Sequence, residues 1–375
     1  MTSPSSTVRY WGSFATSGSI SFPRTTPFPV YLPGNVKQIG TSNSTAYALL
    51  DDGSVYAWGL GANGQLGDGG TTDSVRTAVR VQFPDGVRIA SLPDDVMPYD
   101  EGLAIDTAGN VWGWGTNPYG DALCLGSQAP VLTPAMLPLS HVTDAAGAFG
   151  HAIYLSDGHA LACGSNYFGE LGDGTRTATS TPVAVALPPG SRVVRLTASW
   201  NNSGALLDNG KYYDWGYNAQ GQLGQGVIGG YATVPLRVKL PGRVCEVFLG
   251  GSLPRNGQTL VLLDNGDLYA WGDGRQYQLG TGTTTPQPLP VRVPLPDGLK
   301  FTKIATSGAT SYGITGRGDV YAWGDNVFGQ VGDGTRTNAP VPVYVAGGAR
   351  EISGTNFDVA ISLRGSYDDR SESTR

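Results

Sequence analysis

Charge is scarce in this chain. Only 14% of its 375 residues are Asp, Glu, Lys or Arg, the formal net charge is −6, and no basic cluster offsets it. A nucleic-acid surface needs a concentrated positive patch, so nucleic acid is not an expected partner. No apolar run reaches the ~18 residues of a membrane-spanning helix, so no membrane association is expected. Histidine, cysteine and methionine are equally sparse, at three residues each. Cys124, Cys163 and Cys245 are widely scattered without C-x-x-C spacing. They are expected to be reduced, mostly buried thiols rather than a disulfide framework. The start, Met1-Thr2-Ser3-Pro4-Ser5-Ser6, shows no basic patch followed by an apolar core. A cytoplasmic, virion-associated, or exported and leader-trimmed protein fits that start.

Glycine is what the chain has in plenty, 56 residues, with 25 prolines beside it. That mixture opposes helices and favours short strands joined by tight turns, while 40% hydrophobic residues suffice for a core. One stretch, Gly59-Leu60-Gly61-Ala62-Asn63-Gly64, satisfies the dinucleotide fingerprint G-x-G-x-x-G. The fingerprint works only where a helix begins at its last glycine, since the helix N-terminus holds the pyrophosphate. The continuation Gln65-Leu66-Gly67-Asp68-Gly69-Gly70 is no helix, each helical glycine costing about 1 kcal/mol relative to alanine.

The stretch is instead one copy of a repeat. Trp-Gly recurs at Trp11, Trp58, Trp114, Trp215, Trp271 and Trp323, and Cys163-Gly164 stands where a further copy is due. The spacings are 47, 56, 49, 52, 56 and 52 residues. Six residues after four of these positions comes a glycine corner: Gly64-Gln65-Leu66-Gly67, Gly169-Glu170-Leu171-Gly172, Gly221-Gln222-Leu223-Gly224 and Gly329-Gln330-Val331-Gly332. Tyr277-Gln278-Leu279-Gly280 keeps the register without its first glycine, and Gly120 to Gly126 reads as a swollen version. Each repeat supplies an apolar run, a second run ending in Asp-Gly or Asn-Gly, a third such as Val55-Tyr56-Ala57-Trp58, and a proline-flanked fourth such as Pro340-Val341-Pro342-Val343. The Asp-Gly pairs predict type I′ hairpins. Proline places the fourth run on an outer edge.

Four strands repeated about every 50 residues predict propeller blades. The first-strand and Trp-Gly elements each occur seven times, so the expected fold is an all-β, seven-bladed propeller. Residues 357–363 should pair with Val8-Arg9-Tyr10-Trp11 and close the ring, leaving no open edge. The expected domain is 8–365, with flexible termini at 1–7 and 366–375.

The pattern W-G-x-N-x-x-G-Q-L-G-x-G, preceded by D-G-x-V-Y-x-W-G, resembles the regulator of chromosome condensation repeat, over about residues 8–365. The resemblance implies a seven-bladed propeller, and the chain reads as a bacterial or phage-type member. Similar family members include an inhibitor of β-lactamases and bacterial adaptor-like proteins, which implies a non-enzymatic module that binds a protein partner. The founding nuclear member implies an alternative, guanine-nucleotide exchange on a small GTPase. An enzyme or sugar-binding protein using the central channel is a third reading. A light sensor would need a packed tryptophan cluster, whereas only Trp112 and Trp200 lie outside the repeats.

In such blades the loops joining first to second and third to fourth strands share one face. Two first-to-second loops carry extra residues, 91–100 and 250–257. The partner-binding candidates on this face are Asp94, Asp95, Tyr99, Tyr119, Phe168, Tyr217, Arg255, Tyr277 and Phe328, since aromatics on rigid loops are typical binding anchors. Seven residues before each hairpin aspartate or its equivalent stand Thr45, Glu101, Gly150, Asn202, Gln258, Thr310 and Phe357, a position often histidine in the family. They form no catalytic constellation, although Glu101 and Asp358 lie near the channel level. His141, His151 and His159 share a repeat with Cys163, and a hairpin would bring His151 near it. With no carboxylate cluster, no metal is expected, and Cys163 reads as a stand-in for a core tryptophan. No cofactor and no catalytic residue are expected, and the protein is expected to be a monomer.

Overall fold

A computed structural model describes residues 6–16, 19–43, 45–94, 97–116, 121–126, 129–251, 257–296, 298–354 and 358–363. No helix occurs among them, and seven four-stranded antiparallel sheets account for the strands. Blade 1 runs outward through Val36–Thr41, Thr45–Leu50, Val55–Gly59 and Ser74–Arg80. Blade 2 comprises Ile89–Ser91, Glu101–Asp106, Val111–Gly115 and Val131–Met136. Blade 3 has Val142–Gly147, His151–Ser156, His159–Gly164 and Thr179–Ala184. Val193–Ser199, Asn202–Leu207, Tyr212–Tyr217 and Tyr231–Arg237 make blade 4. Blade 5 holds Val244–Gly250, Gln258–Leu263, Leu268–Gly272 and Gln287–Arg292. Blade 6 consists of Phe301–Ser307, Thr310–Thr315, Val320–Gly324 and Ala339–Ala346.

Blade 7 is assembled from both ends of the chain. Its inner strands are Ala349–Gly354 and Asp358–Leu363, its outer ones Ser6–Thr16 and Ser19–Leu32. Val8 pairs with Ser362 and Trp11 with Val359, which is the predicted closure. The fourth strands join with register shifts where they pass the Trp-Gly turns, as an edge with proline must.

Second strands such as Thr45–Leu50 and Gln258–Leu263 are buried at every residue, because each lies between two neighbouring blades. The six repeat tryptophans are fully buried. Burying ~200 Å² of ring surface contributes roughly 5 kcal/mol each before entropy is counted. The glycine corners explain where the indole N–H groups go. Trp271 Nε1 donates to the Gln222 carbonyl (2.8 Å), Trp323 to Gln278 (3.0 Å), Trp215 to Glu170 (2.8 Å), Trp114 to Gln65 (2.9 Å) and Trp11 to Gln330 (2.9 Å). Each bond crosses from one blade to the corner of the blade before it.

The corner glutamine also shapes its own loop. Gln222 Oε1 accepts the Gln220 amide (2.8 Å), and Gln65, Gln278 and Gln330 do the same two residues back. The second glycine of the corner lies under the next blade's indole. At Gly172, φ is +66° and an added Cβ would stand 2.6 Å from Trp215 Nε1. Both facts require glycine there.

Blade 3 departs from this plan at its hairpin and in its register. Its Asp157-Gly158 turn is the expected type I′ hairpin, with φ of 50° and 78° and Ser156 paired to His159. In blade 1, Leu49 pairs with Val55, Leu50 N–H bonds the Ser54 carbonyl, and only Gly53 is left-handed, so the turn is longer than the predicted type I′. The shorter turn moves the blade 3 register by one, and His151, not Gly150, faces Gly164 as Thr45 faces Gly59. Blade 7 likewise uses Asp358, not Phe357, opposite Gly12.

The expectation of reduced thiols fails for two of the three cysteines. Cys124 and Cys163 form a disulfide with Cα atoms 5.8 Å apart, while Cys245 is free and exposed. The swollen corner was the misread element. Cys124 N–H bonds the Asp121 carbonyl just as Gly67 N–H bonds Gly64, so Asp121-Ala122-Leu123-Cys124 is the corner. Gly126 is not one of its glycines, and Gly120 lies outside the described residues. Cys163 does occupy the tryptophan position, pairing with Ala152 as Trp215 pairs with Ser203.

Candidate functional site

Position three of each inner strand faces the axis of the ring: Gln38, Ser91, Asp144, Arg195, Glu246, Lys303 and Glu351. All seven are half-buried, whereas six of the residues just before them are exposed. Their groups clip neighbouring blades together. Asp144 accepts the Leu196 amide (2.7 Å) and Glu246 the Ile304 amide (2.7 Å). Lys303 pairs with Glu351 at 2.9 Å and Arg195 with Glu246 at 3.7 Å. Burial pushes the Asp144 and Glu246 carboxyls up to about 7, against the amides and Arg195 that hold the charged forms.

The long first-to-second loop of blade 2 crosses this channel. Gln38 of blade 1 donates to the Leu92 carbonyl (3.0 Å) and to Asp94 Oδ1 (3.0 Å), and accepts the Leu92 amide (2.9 Å). Arg195 of blade 4 reaches the Asp94 carbonyl at 3.2 Å. Met97 N–H bonds Thr41 of blade 1, and Tyr99 N–H bonds Ala148 of blade 3. Leu92 and Met97 are buried. Gly40 and Gly147 make room for the crossing, an added Cβ meeting Met97 at 2.8 Å and Pro98 at 2.1 Å respectively.

Where the crossing ends, three rings from successive blades meet. Tyr99 sits edge-on to Phe149 with centroids 5.1 Å apart, and Phe149 stacks on Trp200 at 4.1 Å. Tyr99 and Trp200 close the triangle at 6.3 Å. They wall a depression of about 410 Å³, open mouth included, with Ser42, Asn43, Leu249, Gly250 and Thr306 on its other sides. Trp200 holds a left-handed backbone, φ 42°, and its buried Nε1 has no acceptor among the described residues. Such conformations concentrate at functional positions. Below the rim, Asp100 accepts from Asn63 (2.9 Å), yet burial raises its carboxyl above the usual range. Glu101 is pushed well up by burial, with Asp121 and Asp100 adding repulsion.

The candidates named from the sequence divide accordingly. Tyr99 belongs to the ring cluster. Asp94 points into the channel clip rather than to the rim. Phe168 and Tyr217 pack together at 4.3 Å on adjacent corners. Tyr277 and Phe328 are half-buried in the corresponding corners of blades 5 and 6, Tyr277 in the left-handed conformation a glycine holds elsewhere. Asp95, Tyr119 and Arg255 lie outside the described residues. Phe149 and Trp200 were missed. Their signal is an aromatic at the same loop position in two successive repeats, in loops that carry no insertion.

His151 Nε2 bonds Ser203 Oγ (2.7 Å), and burial pushes its pKa down to about 3, so it is neutral and structural. Its counterparts serve likewise: Thr45, Thr310 and Asn202 each donate to a loop carbonyl nearby. Among the described residues no group of three His, Cys, Asp or Glu side chains is arranged to hold a metal. Trp112 donates to Asp106 Oδ2 at the hairpin end of blade 2, far from Trp200.

The fold and this loop face define a seven-bladed propeller whose channel is crossed by its own chain and whose mouth is edged with rings. The regulator of chromosome condensation (RCC1) repeat matches residues 52–92, 157–206, 265–313 and 317–354, and a second profile of the same repeat matches 36–65 and 301–330. The chain belongs to the RCC1 repeat family. It is 28% identical over 310 residues to the ultraviolet-B receptor UVR8 of Arabidopsis thaliana, covering 82% of this chain and 68% of UVR8. Identity to the Homo sapiens E3 ubiquitin-protein ligase HERC2 is 31% over 319 residues, 83% of this chain but 6% of HERC2. To the Saccharomyces cerevisiae guanine nucleotide exchange factor SRM1 it is 29% over 297 residues, 76% of this chain and 56% of SRM1. The crystal structure of human WBSCR16 superposes with a TM-score of 0.82 at 18% identity, over 96% of this chain and all of that one. These plant, animal and yeast relatives give no support to the expected bacterial or phage-type affiliation.

Proposed function

We propose that this protein is a non-enzymatic scaffold, one monomeric propeller domain over residues 8–365, that binds a protein partner through its loop face. The observation that carries the reading is the Tyr99–Phe149–Trp200 cluster, three rings from three blades fixed at the channel mouth. Tyrosine and tryptophan dominate binding energy at protein interfaces, and here the backbone has already ordered them. Phe168, Tyr217, Tyr277 and Phe328 extend the same rim, with Asp95, Tyr119 and Arg255 assigned to it by loop position. The channel itself suits chemistry poorly, because its polar groups are spent on clipping blades and on the crossing loop.

The test is affinity purification from the native source with the wild type, followed by the same capture with Tyr99→Ala, Phe149→Ala and Trp200→Ala combined. A partner retained by the wild type should be recovered at a tenth or less by a folded triple variant, on the order of 2 kcal/mol per anchor. Equal recovery refutes the assignment. Guanine-nucleotide exchange on a small GTPase is the second reading, favoured by the similarity to SRM1. Its test is nucleotide release from a panel of small GTPases, and an unchanged rate throughout removes it.

A further inference from the structure

We infer that Cys124–Cys163 is a reducible lock standing in for the tryptophan–glycine lock at the seam between blades 2 and 3. At five other seams the second corner glycine of one blade lies under the indole of the next: Gly67 with Trp114, Gly172 with Trp215, Gly224 with Trp271, Gly280 with Trp323 and Gly332 with Trp11. At this seam Cys124 replaces the glycine and Cys163 replaces the indole, and the two are bonded to each other. Either replacement alone would break the lock. A cysteine Cβ under an indole would clash as the Cβ distances above show, and a cysteine over a glycine would leave the indole volume empty. Made together, they turn a packing contact into a covalent one. Cys163 Sγ even lies 3.5 Å from the Ala122 carbonyl, the counterpart of the carbonyl that receives the indole N–H elsewhere.

The bond has more to hold at this seam than a tryptophan has at the others. The inner strand of blade 2, Ile89–Ser91, has three residues, because the chain leaves it to cross the channel, whereas the other inner strands have six or seven. Cys124 is also kept at φ 55°, a conformation its glycine counterparts adopt freely and an L-residue resists. Cleaving the bond frees Cys124 to leave that conformation and removes the only cross-link over 39 residues. The exchange is balanced by an external dithiol. Its two thiols close to a disulfide, giving up two electrons and two protons, while the Cys124–Cys163 bond opens to two thiols. Both sulfurs are buried, so exchange proceeds through opening of the seam.

The experiment compares oxidised protein with protein reduced by dithiothreitol, reading thermal unfolding and amide hydrogen exchange. Reduction should lower Tm by about 3–5 °C. Exchange should quicken at least ~10-fold in Glu101–Asp106, Val111–Gly115 and His151–Ser156, and less than ~2-fold in blades 5 and 6. The double variant Cys124→Gly with Cys163→Trp restores the lock used elsewhere, and its Tm should be the same with and without reductant. An unchanged Tm on reduction, a loss of protection spread evenly around the ring, or a reductant-sensitive double variant would each overturn the inference. Should the double variant not fold, the wild-type exchange comparison decides alone.

Discussion

Replacing Gly224 by alanine isolates what the corner glycine does. Its φ is +65°, and an added Cβ would lie 2.9 Å from Trp271 Nε1 and 3.1 Å from Val238. The left-handed backbone costs an L-residue roughly 1–2 kcal/mol. Intrusion on an indole that cannot retreat adds about 1–3 kcal/mol, since Trp271 is pinned by its bond to the Gln222 carbonyl. Reduced freedom of the unfolded chain returns ~0.4–1 kcal/mol. The expected net loss is therefore about 2–4 kcal/mol. Gly190 is the matched control: φ is +77° and nothing lies within 4 Å of an added Cβ. Gly190→Ala keeps the backbone cost without the clash and should lose roughly 0.5–1.5 kcal/mol. Urea unfolding of both variants gives the difference directly, provided their m-values agree. Equal midpoints would show that the glycine is there for its backbone alone, and the account of the corner as an indole seat would fail.

Glu170 occupies a position that is glutamine in four other corners, and burial pushes its carboxyl up from 4.5 to about 7. The fold thus favours the neutral acid, whose stabilising contribution is complete below pH 4.5 and lost as pH rises through about 7. Glu170→Gln should match the wild type near pH 4 and exceed it by ~1–3 kcal/mol at pH 8, read from urea midpoints across that range. Trp58 Nε1 finds no acceptor among the described residues, whereas Trp271 Nε1 does. Trp58→Phe should then cost about 1 kcal/mol less than Trp271→Phe in the same unfolding assay. Gln38→Leu strips three hydrogen bonds from the crossing loop and leaves the Leu92 amide and carbonyl unpaired. It should lose about 1–3 kcal/mol, with the fastest new amide exchange at Leu92; uniform exchange would contradict the clip.

The ring was legible because its signals are periodic. Trp-Gly marks the third strand and the glycine corner that follows it, and seven counts of two elements out of phase forced both termini into one blade. What the sequence concealed were the places where two blades change together. Cys163 was readable as a missing tryptophan, but its partner lay one blade earlier inside a corner whose two glycines were both gone, so the register slid to Gly120 and Gly126. The repeat that carries Cys163 holds no second cysteine. The residue of the preceding corner that a tryptophan at 163 would touch is Cys124.

The loop face hides a paired change of the same kind. Extra length at 91–100 was visible, and its destination was not, because a loop that crosses the channel is distinguished only by what receives it. Gly40 and Gly147 receive it, at inner-strand positions where blade 4 carries Thr197 and Ala198 and blade 5 carries Phe248 and Leu249. With those two glycines beside the path, the loop delivers Tyr99 against Phe149 and Trp200, and one insertion both fills the channel and completes the ring cluster. Substituting either glycine by a residue with a Cβ should therefore displace Pro98 or Met97 and, through them, Tyr99. Loss of the contact between Tyr99 and Phe149 by nuclear Overhauser measurement in Gly147→Ala would bear this out, and an unaltered contact would separate the filling of the channel from the assembly of the face.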